Sequence, residues 1–198
     1  MGVEERMADR CNTIRLYSFQ TDVVYQVLKR DGVCYSKEEY VRKKYKESAK
    51  VFINAYGWFV KEAQHIVPKP EGAEYPYWAF TDLYNVDQTG DGHVLTLDVP
   101  IGEAILFDMF DWTKIMQMHY IGENESEEAT FSEELKNMGM NEFQIMTSNF
   151  YPEQKARIQE SWKRLFGHQQ AIEAGDNSGV HSVQAGLWCI KGEWIVKE

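Results

Sequence analysis

The sequence predicts an α+β fold: one compact domain whose small sheet, mixed or antiparallel and either split or continuous, is flanked by helices and closed by a C-terminal hairpin. Three observations lead there. Runs with strand alternation and runs with helical period both occur along the chain. At 198 residues the chain is near the usual size of one domain. Its hydrophobic fraction of 43%, with six Trp, is enough to fill one core. Residues 13–198 are expected to form the domain and 1–12 a flexible N-terminus.

Ile14 to Phe19 alternates as a strand does. Thr21 then caps a helix with Val23, Val24, Val27 and Leu28 on one face, and Gly32 ends it. Ser36 and Glu39 have capping-box spacing and open a long helical stretch with Phe52, Tyr56, Phe59 and Val60 inward, stopped by Pro68. Tyr75 to Phe80 and His93 to Val99 read as strands flanking a polar turn, followed by a short apolar run, Ala104 to Phe107. Asp111 caps a helix carrying Trp112, Ile115 and Met116, and the six glutamates between Glu123 and Glu134 predict an exposed acidic loop or surface helix. Pro152 starts a helix with Ile158, Trp162, Leu165 and Phe166 on one face, ended by Gly167. The hairpin pairs Val183 to Ile190 with Glu193 to Val196 across Lys191 and Gly192.

The net charge of −10 excludes a generally phosphate-gathering surface, so nucleic acid is not an expected partner. The basic stretch Arg42, Lys43, Lys44, Lys46 and Lys50 is interleaved with Glu38, Glu39 and Glu47 and reads as a solvated helix face. Cys11, Cys34 and Cys189 are odd in number and form no CxxC, which fits a reducing, cytoplasmic setting. No apolar run approaches membrane-spanning length, and the segment up to Asn12 is charged where a signal peptide is apolar. No membrane association is expected.

Asp87 to Asp98 resembles an EF-hand calcium loop, with oxygen donors at Asp87, Thr89 and Asp91 and glycine at the sixth position. Asp98 stands where a bidentate Glu belongs, Pro100 falls where the exiting helix begins, and Val94 to Val99 alternates as a strand. A plain Gly-Asp-Gly loop is the competing reading, and no metal is assigned. The five histidines show no paired ligand spacing, and no GxSxG, Walker loop or glycine-rich phosphate fingerprint is present. Serine hydrolases, P-loop NTPases and dinucleotide-binding sheets lose support accordingly.

What remains is a set of aromatics beside polar groups: Tyr17 with Gln20, Tyr56 with Trp58, Tyr75 to Trp78, Asp108 with Trp112, Ser161 with Trp162 and Gln184 with Trp188. Such rings usually serve the core. Converging on a crevice, they would suit a flat, polar-edged ligand such as a nucleotide or nicotinamide.

These motifs resemble an uncharacterised bacterial family, domain of unknown function 3841, from about Thr13 onward. The likeness rests on Leu16 to Gln20, Tyr56 and Trp58, Pro76 and Trp78, the run Leu106, Phe107, Asp108, Phe110 and Trp112, the group Ser161, Trp162 and Phe166, and Gln184, Ala185 and Trp188. The family favours Trp where Tyr17 stands, and the resemblance implies no activity. The order of elements is also similar to ADP-ribosyltransferases, in which a split sheet pinches NAD. That likeness implies Tyr17, Ser18 and Gln20 at the first-strand site, Tyr56 or Trp58 stacked on nicotinamide, and Gln184 at the late-strand position, with Gln20 and Gln184 as the catalytic candidates. Trp78, Asp108, Trp112 and Trp188 complete the expected ligand-binding set. Gln184 differs from a carboxylate in carrying no charge. The expected function is thus NAD or nucleotide binding with ADP-ribosyltransferase-like chemistry. Its alternative is a non-catalytic domain whose acidic segment meets a protein partner.

Overall fold

The computed structural model describes residues 12–39, 42 and 49–196, with the backbone alone for 49–52. The expected flexible N-terminus, most of the basic stretch, the side chain of Phe52 and Cys11 lie outside the described residues.

Strand β1 (Thr13–Gln20) leads through Thr21 into α1 (Asp22–Asp31), then β2 (Val33–Tyr35). Helix α2 (Ala49–Ala63) precedes β3 (Tyr77–Phe80), β4 (His93–Pro100) and β5 (Ile105–Asp108). Helices α3 (Met109–Met116), α4 (Glu125–Asn137), α5 (Glu142–Thr147) and α6 (Pro152–Ser161) follow, and a 3₁₀ stretch, Trp162–His168, continues into α7 (Gln169–Glu173). Strands β6 (Val183–Leu187) and β7 (Cys189–Lys191) close the chain with a 3₁₀ turn, Gly192–Trp194.

Five strands form one antiparallel sheet in the order β4-β1-β3-β6-β5, and β2 pairs with β7 in a separate antiparallel ribbon. A single compact α+β domain is therefore present, with its strands split between two sheets. Alternation along each strand sends side chains to opposite faces, and each face has its own core. On one side, Ile105 and Phe107 of β5 pack with Phe59, Trp112, Phe131, Ile145, Ile158 and Trp162 from α2 to the 3₁₀ stretch. On the other, Leu16, Leu97, Leu106, Ala185 and Leu187 pack with Val24 and Leu28 of α1, Ile172 of α7 and the β2–β7 ribbon. At about 25 cal/mol per Å² of apolar surface removed from water, these two cores supply the main drive for folding.

The seam between β1 and β3 is thin. The two strands pair only at Tyr17 and Phe80, whereas β1 pairs with β4 along its whole length. The Ser18 hydroxyl donates to the Trp78 carbonyl at 2.7 Å, filling a place in the ladder that strand pairing leaves empty.

Several expectations are corrected. No C-terminal hairpin forms: β6 lies between β3 and β5, β7 pairs with β2, and Gly192 begins a 3₁₀ turn and donates to the Gly32 carbonyl at 2.7 Å. The two strands expected on either side of the polar turn both form, as β3 and β4, with β1 running between them in the sheet. Thr21 occupies the N-cap of α1 without a side-chain hydrogen bond, and Val23 is exposed. Ser36 is in a bridge with Tyr75, and the Glu38 N–H donates to the Glu74 carboxylate. Asp108, not Asp111, caps α3 through the Phe110 N–H. Gly167 does not end its helix, since the chain winds on as 3₁₀ into α7. Gly32 ends α1 as expected, at φ +76° with its N–H on the Leu28 carbonyl. The acidic segment is a helix, α4, capped by Asn124.

Candidate functional site

Cross-strand partners share a face, so Tyr17, Phe80, Gln184 and Phe107 form one row across β1, β3, β6 and β5. Trp78 and Gly186 are the next pair along β3 and β6. Helix α2 lies against this face, and Gly186 is what admits it: a Cβ there would stand 2.9 Å from the Phe59 ring.

The rings expected to line a crevice fill one another's space instead. Phe59 is ringed by Trp78, Phe107, Trp112, Phe166 and Trp188 at centroid distances of 5.1 to 6.5 Å. Tyr56 stacks on Trp112 at 5.8 Å, and Trp58 stacks on Phe166 at the same distance. Tyr56, Trp58, Trp112 and Trp188 are buried, and Trp78 is partly exposed. Their polar edges are engaged too: the Trp78 indole donates to the Tyr56 hydroxyl at 2.9 Å and the Trp188 indole to the Val67 carbonyl at 2.7 Å.

Gln184 is the polar residue of this face. It is 3% exposed, and no hydrogen bond from the described residues reaches its side chain. Every fully occluded side-chain polar atom among those residues is paired, so the amide must retain a sliver of solvent access. It stands between Phe80 and Phe107, and Tyr17 and Phe80 are only partly covered.

The other catalytic candidate is elsewhere. Gln20 and Ser18 alternate with Tyr17 and Phe19 and face the opposite core beside Leu16, where the Gln20 amide donates to the Ser18 hydroxyl at 2.8 Å. The structure thus separates Gln20 and Gln184 by the thickness of the sheet. Phe80, which completes the Gln184 row, was not among the sequence candidates; its place two residues after Trp78 in an alternating strand was the available signal.

Asp108 is buried at the end of β5. Burial pushes its carboxyl up, but hydrogen bonds from His181, Phe110 and Ser182 outweigh this and hold it below the usual carboxylate range. Asp111, one turn on, is pushed up by burial, with Lys114 opposing. His181 was not singled out from sequence: it lies 73 residues from Asp108 and no local motif joins them.

The Asp87 to Asp98 segment departs from EF-hand geometry. His93–Pro100 is strand β4, and Asp98 forms an ion pair there with Arg15 of β1. Asp87 accepts from the Thr89 N–H and hydroxyl. The glycines have backbone reasons of their own: Gly90 has φ +108°, and a Cβ on Gly92 would stand 2.4 Å from the Gln20 carbonyl oxygen. Among the described residues no cluster of three His, Cys, Asp or Glu is disposed to hold a metal ion.

In α4, the Glu127 carboxylate takes the Tyr120 hydroxyl at 2.6 Å, Glu128 takes Lys114 at 2.6 Å and Glu134 pairs with Arg157. Glu123 and Glu133 form ion pairs with Arg164 and Lys136, so five of the six glutamates are engaged within the molecule. A shallow groove of about 320 Å³ beside these residues is lined by Tyr120, Glu127, Thr130, Phe131, Glu134 and Arg157. No helix among the described residues is long and apolar enough to cross a membrane.

The molecule is thus an antiparallel α+β domain with an aromatic core on one sheet face and a single buried carboxamide set into it. The chain belongs to the family described as domain of unknown function DUF3841, whose model matches residues 15–196. No curated protein and no solved structure matches the chain.

Proposed function

We propose that the sheet face around Gln184 binds a flat ring with polar edges, nicotinamide or a nucleobase, with NAD as the ligand and ADP-ribosyl transfer as the reaction. The observation that carries this reading is the Gln184 carboxamide. It is 3% exposed among rings, no described group hydrogen-bonds its side chain, and its remaining solvent access leaves donor and acceptor without a protein partner. A carboxamide offers both donor and acceptor, which is what the amide of nicotinamide or a base edge needs. Entry of a ring requires Trp78 or Phe80 to swing aside, and the thin β1–β3 seam beside them is the soft place in the sheet.

Tyr17, Phe80 and Trp78 supply the ring contacts in this reading, while Tyr56, Trp58, Trp112 and Trp188 support them from within the core. Gln184 acts by orientation and dipole, since it carries no charge. Gln20 acts indirectly, through Ser18 and the backbone of Trp78.

Thermal unfolding with NAD, nicotinamide and other nucleotides tests this. A hundredfold excess over Kd stabilises by about 2.7 kcal/mol, a midpoint rise of several degrees for a chain of this size. The expected result is such a rise with NAD that Gln184→Leu abolishes while the ligand-free midpoint holds or rises. No rise with NAD, or a rise that survives Gln184→Leu, overturns the reading.

A further inference from the structure

At the end of the sheet where β3 and β5 finish and β6 begins, four N–H groups converge on Asp108. Phe110 and Ser182 donate backbone N–H groups to Oδ1 at 3.0 and 3.3 Å. His181 donates its backbone N–H to Oδ2 at 3.0 Å, and its ring Nδ1 lies 2.8 Å from the same oxygen. An ionised carboxylate only accepts, so Nδ1 carries the proton, and in the neutral form of the ring Nε2 holds the lone pair. The His181 side chain is 73% exposed while that of Asp108 is 5% exposed. The imidazole rests on the half-exposed Phe110 ring, with centroids 4.8 Å apart, and no described residue bonds Nε2.

We infer that Asp108 and His181 form a proton-transfer pair, in which His181 Nε2 is the general base for a water or hydroxyl nucleophile and Asp108 is its positioning residue. The backbone contacts alone discharge the structural duty of Asp108, since three N–H groups cap α3 and tie down residues 181 and 182. The ring contact adds something those contacts do not need: an imidazole of fixed tautomer and fixed direction, with its basic nitrogen in solvent. Base catalysis by histidine requires that arrangement, with a buried carboxylate orienting the ring and stabilising the imidazolium that forms. The substrate class is a carbon electrophile that bears a leaving group. Nε2 takes the O–H proton as the oxygen bonds to that carbon, the leaving group departs with its bonding pair, and the imidazolium returns the proton to it. Ring binding at Gln184 is not required for this inference.

The test uses the whole protein without NAD. ¹⁵N NMR of the imidazoles should show neutral His181 protonated on Nδ1, a preference that Asp108→Asn removes. With ethyl dichloroacetate as probe, an ester whose poor leaving group disfavours direct attack by imidazole, water adds to the ester carbonyl as Nε2 takes its proton, and ethanol is released when the imidazolium returns that proton to the departing ethoxide. His181→Ala should slow this release by about tenfold, the larger effect typical of positioned proton transfer being partly masked by the other histidines. His181→Ala removes one of the four contacts to Asp108, so each variant's rate is read below the onset of its own thermal unfolding, on a folded protein. A neutral ring protonated on Nε2 in the wild type, or a His181→Ala rate within about twofold of wild type against that tenfold expectation, overturns the inference. Neither readout involves NAD, so its failure is separate from failure of the Gln184 reading.

Discussion

At the scale of single residues, polar side chains in this chain complete backbone pairing that the sheet leaves open. Gln169 shows it best. Strand β5 is an edge strand, and an edge exposes unpaired N–H and C=O groups. The Gln169 side chain accepts from the Leu106 N–H and donates to the Ala104 carbonyl at 3.1 Å, standing in for a sixth strand. Gln169→Leu would leave two buried backbone groups unpaired, and a loss of roughly 2–4 kcal/mol is expected from the midpoint of urea unfolding. A loss below about 1 kcal/mol would mean that water replaces the amide at that edge. Ser161 and Trp162 do related work, the hydroxyl accepting from the Ile121 N–H and the indole donating to the His119 carbonyl. The Ser-Trp pair legible in the sequence therefore anchors the turn after α3. Gln169 was not legible as an edge cap, because its partners lie more than sixty residues away.

At the scale of elements, the strength of each pairing differs sharply along the sheet. The ladder between β1 and β4 runs from Thr13–Pro100 to Gln20–His93, while β1 and β3 meet at one register position and the Ser18 hydroxyl. Local opening follows the weakest pairing. Hydrogen exchange should therefore release backbone amides along the β1–β3 seam well before those shared by β1 and β4, and Ser18→Ala should widen the difference. Uniform protection across β1 would refute a soft seam. Helix boundaries were readable where the cap is a local event, as with Gly32 after α1 and Pro152 before α6. The C-terminal hairpin was misread because Lys191 and Gly192 carry the local mark of a tight turn, whereas the carbonyl that Gly192 serves belongs to Gly32.

At the scale of the whole molecule, one antiparallel sheet is shared by two cores, so loss of either core's packing loosens the strands on which the other rests. Unfolding should accordingly be a single transition, coincident by far-UV circular dichroism and by tryptophan fluorescence. Trp58, Trp112, Trp162 and Trp188 report one face and Trp194 the other, so two separated transitions would show that the cores melt independently. The candidate sites follow the same plan. Gln184 sits in one face, Gln20 in the other, and the Asp108–His181 pair at the end of the sheet.

The sequence by itself determined the α+β class, most of the strands, the start of α6 at Pro152 and the family, because alternation, helix-start signals and short motifs are properties of neighbouring residues. Only the tertiary structure decided the strand order, the face on which each polar residue stands, the burial of the aromatic set and the meeting of Asp108 with His181. The strand pairings and the Asp108–His181 contact join residues 63 to 158 positions apart. A period of two says that Gln20 and Gln184 point away from their neighbours, but it cannot say whether they point toward each other.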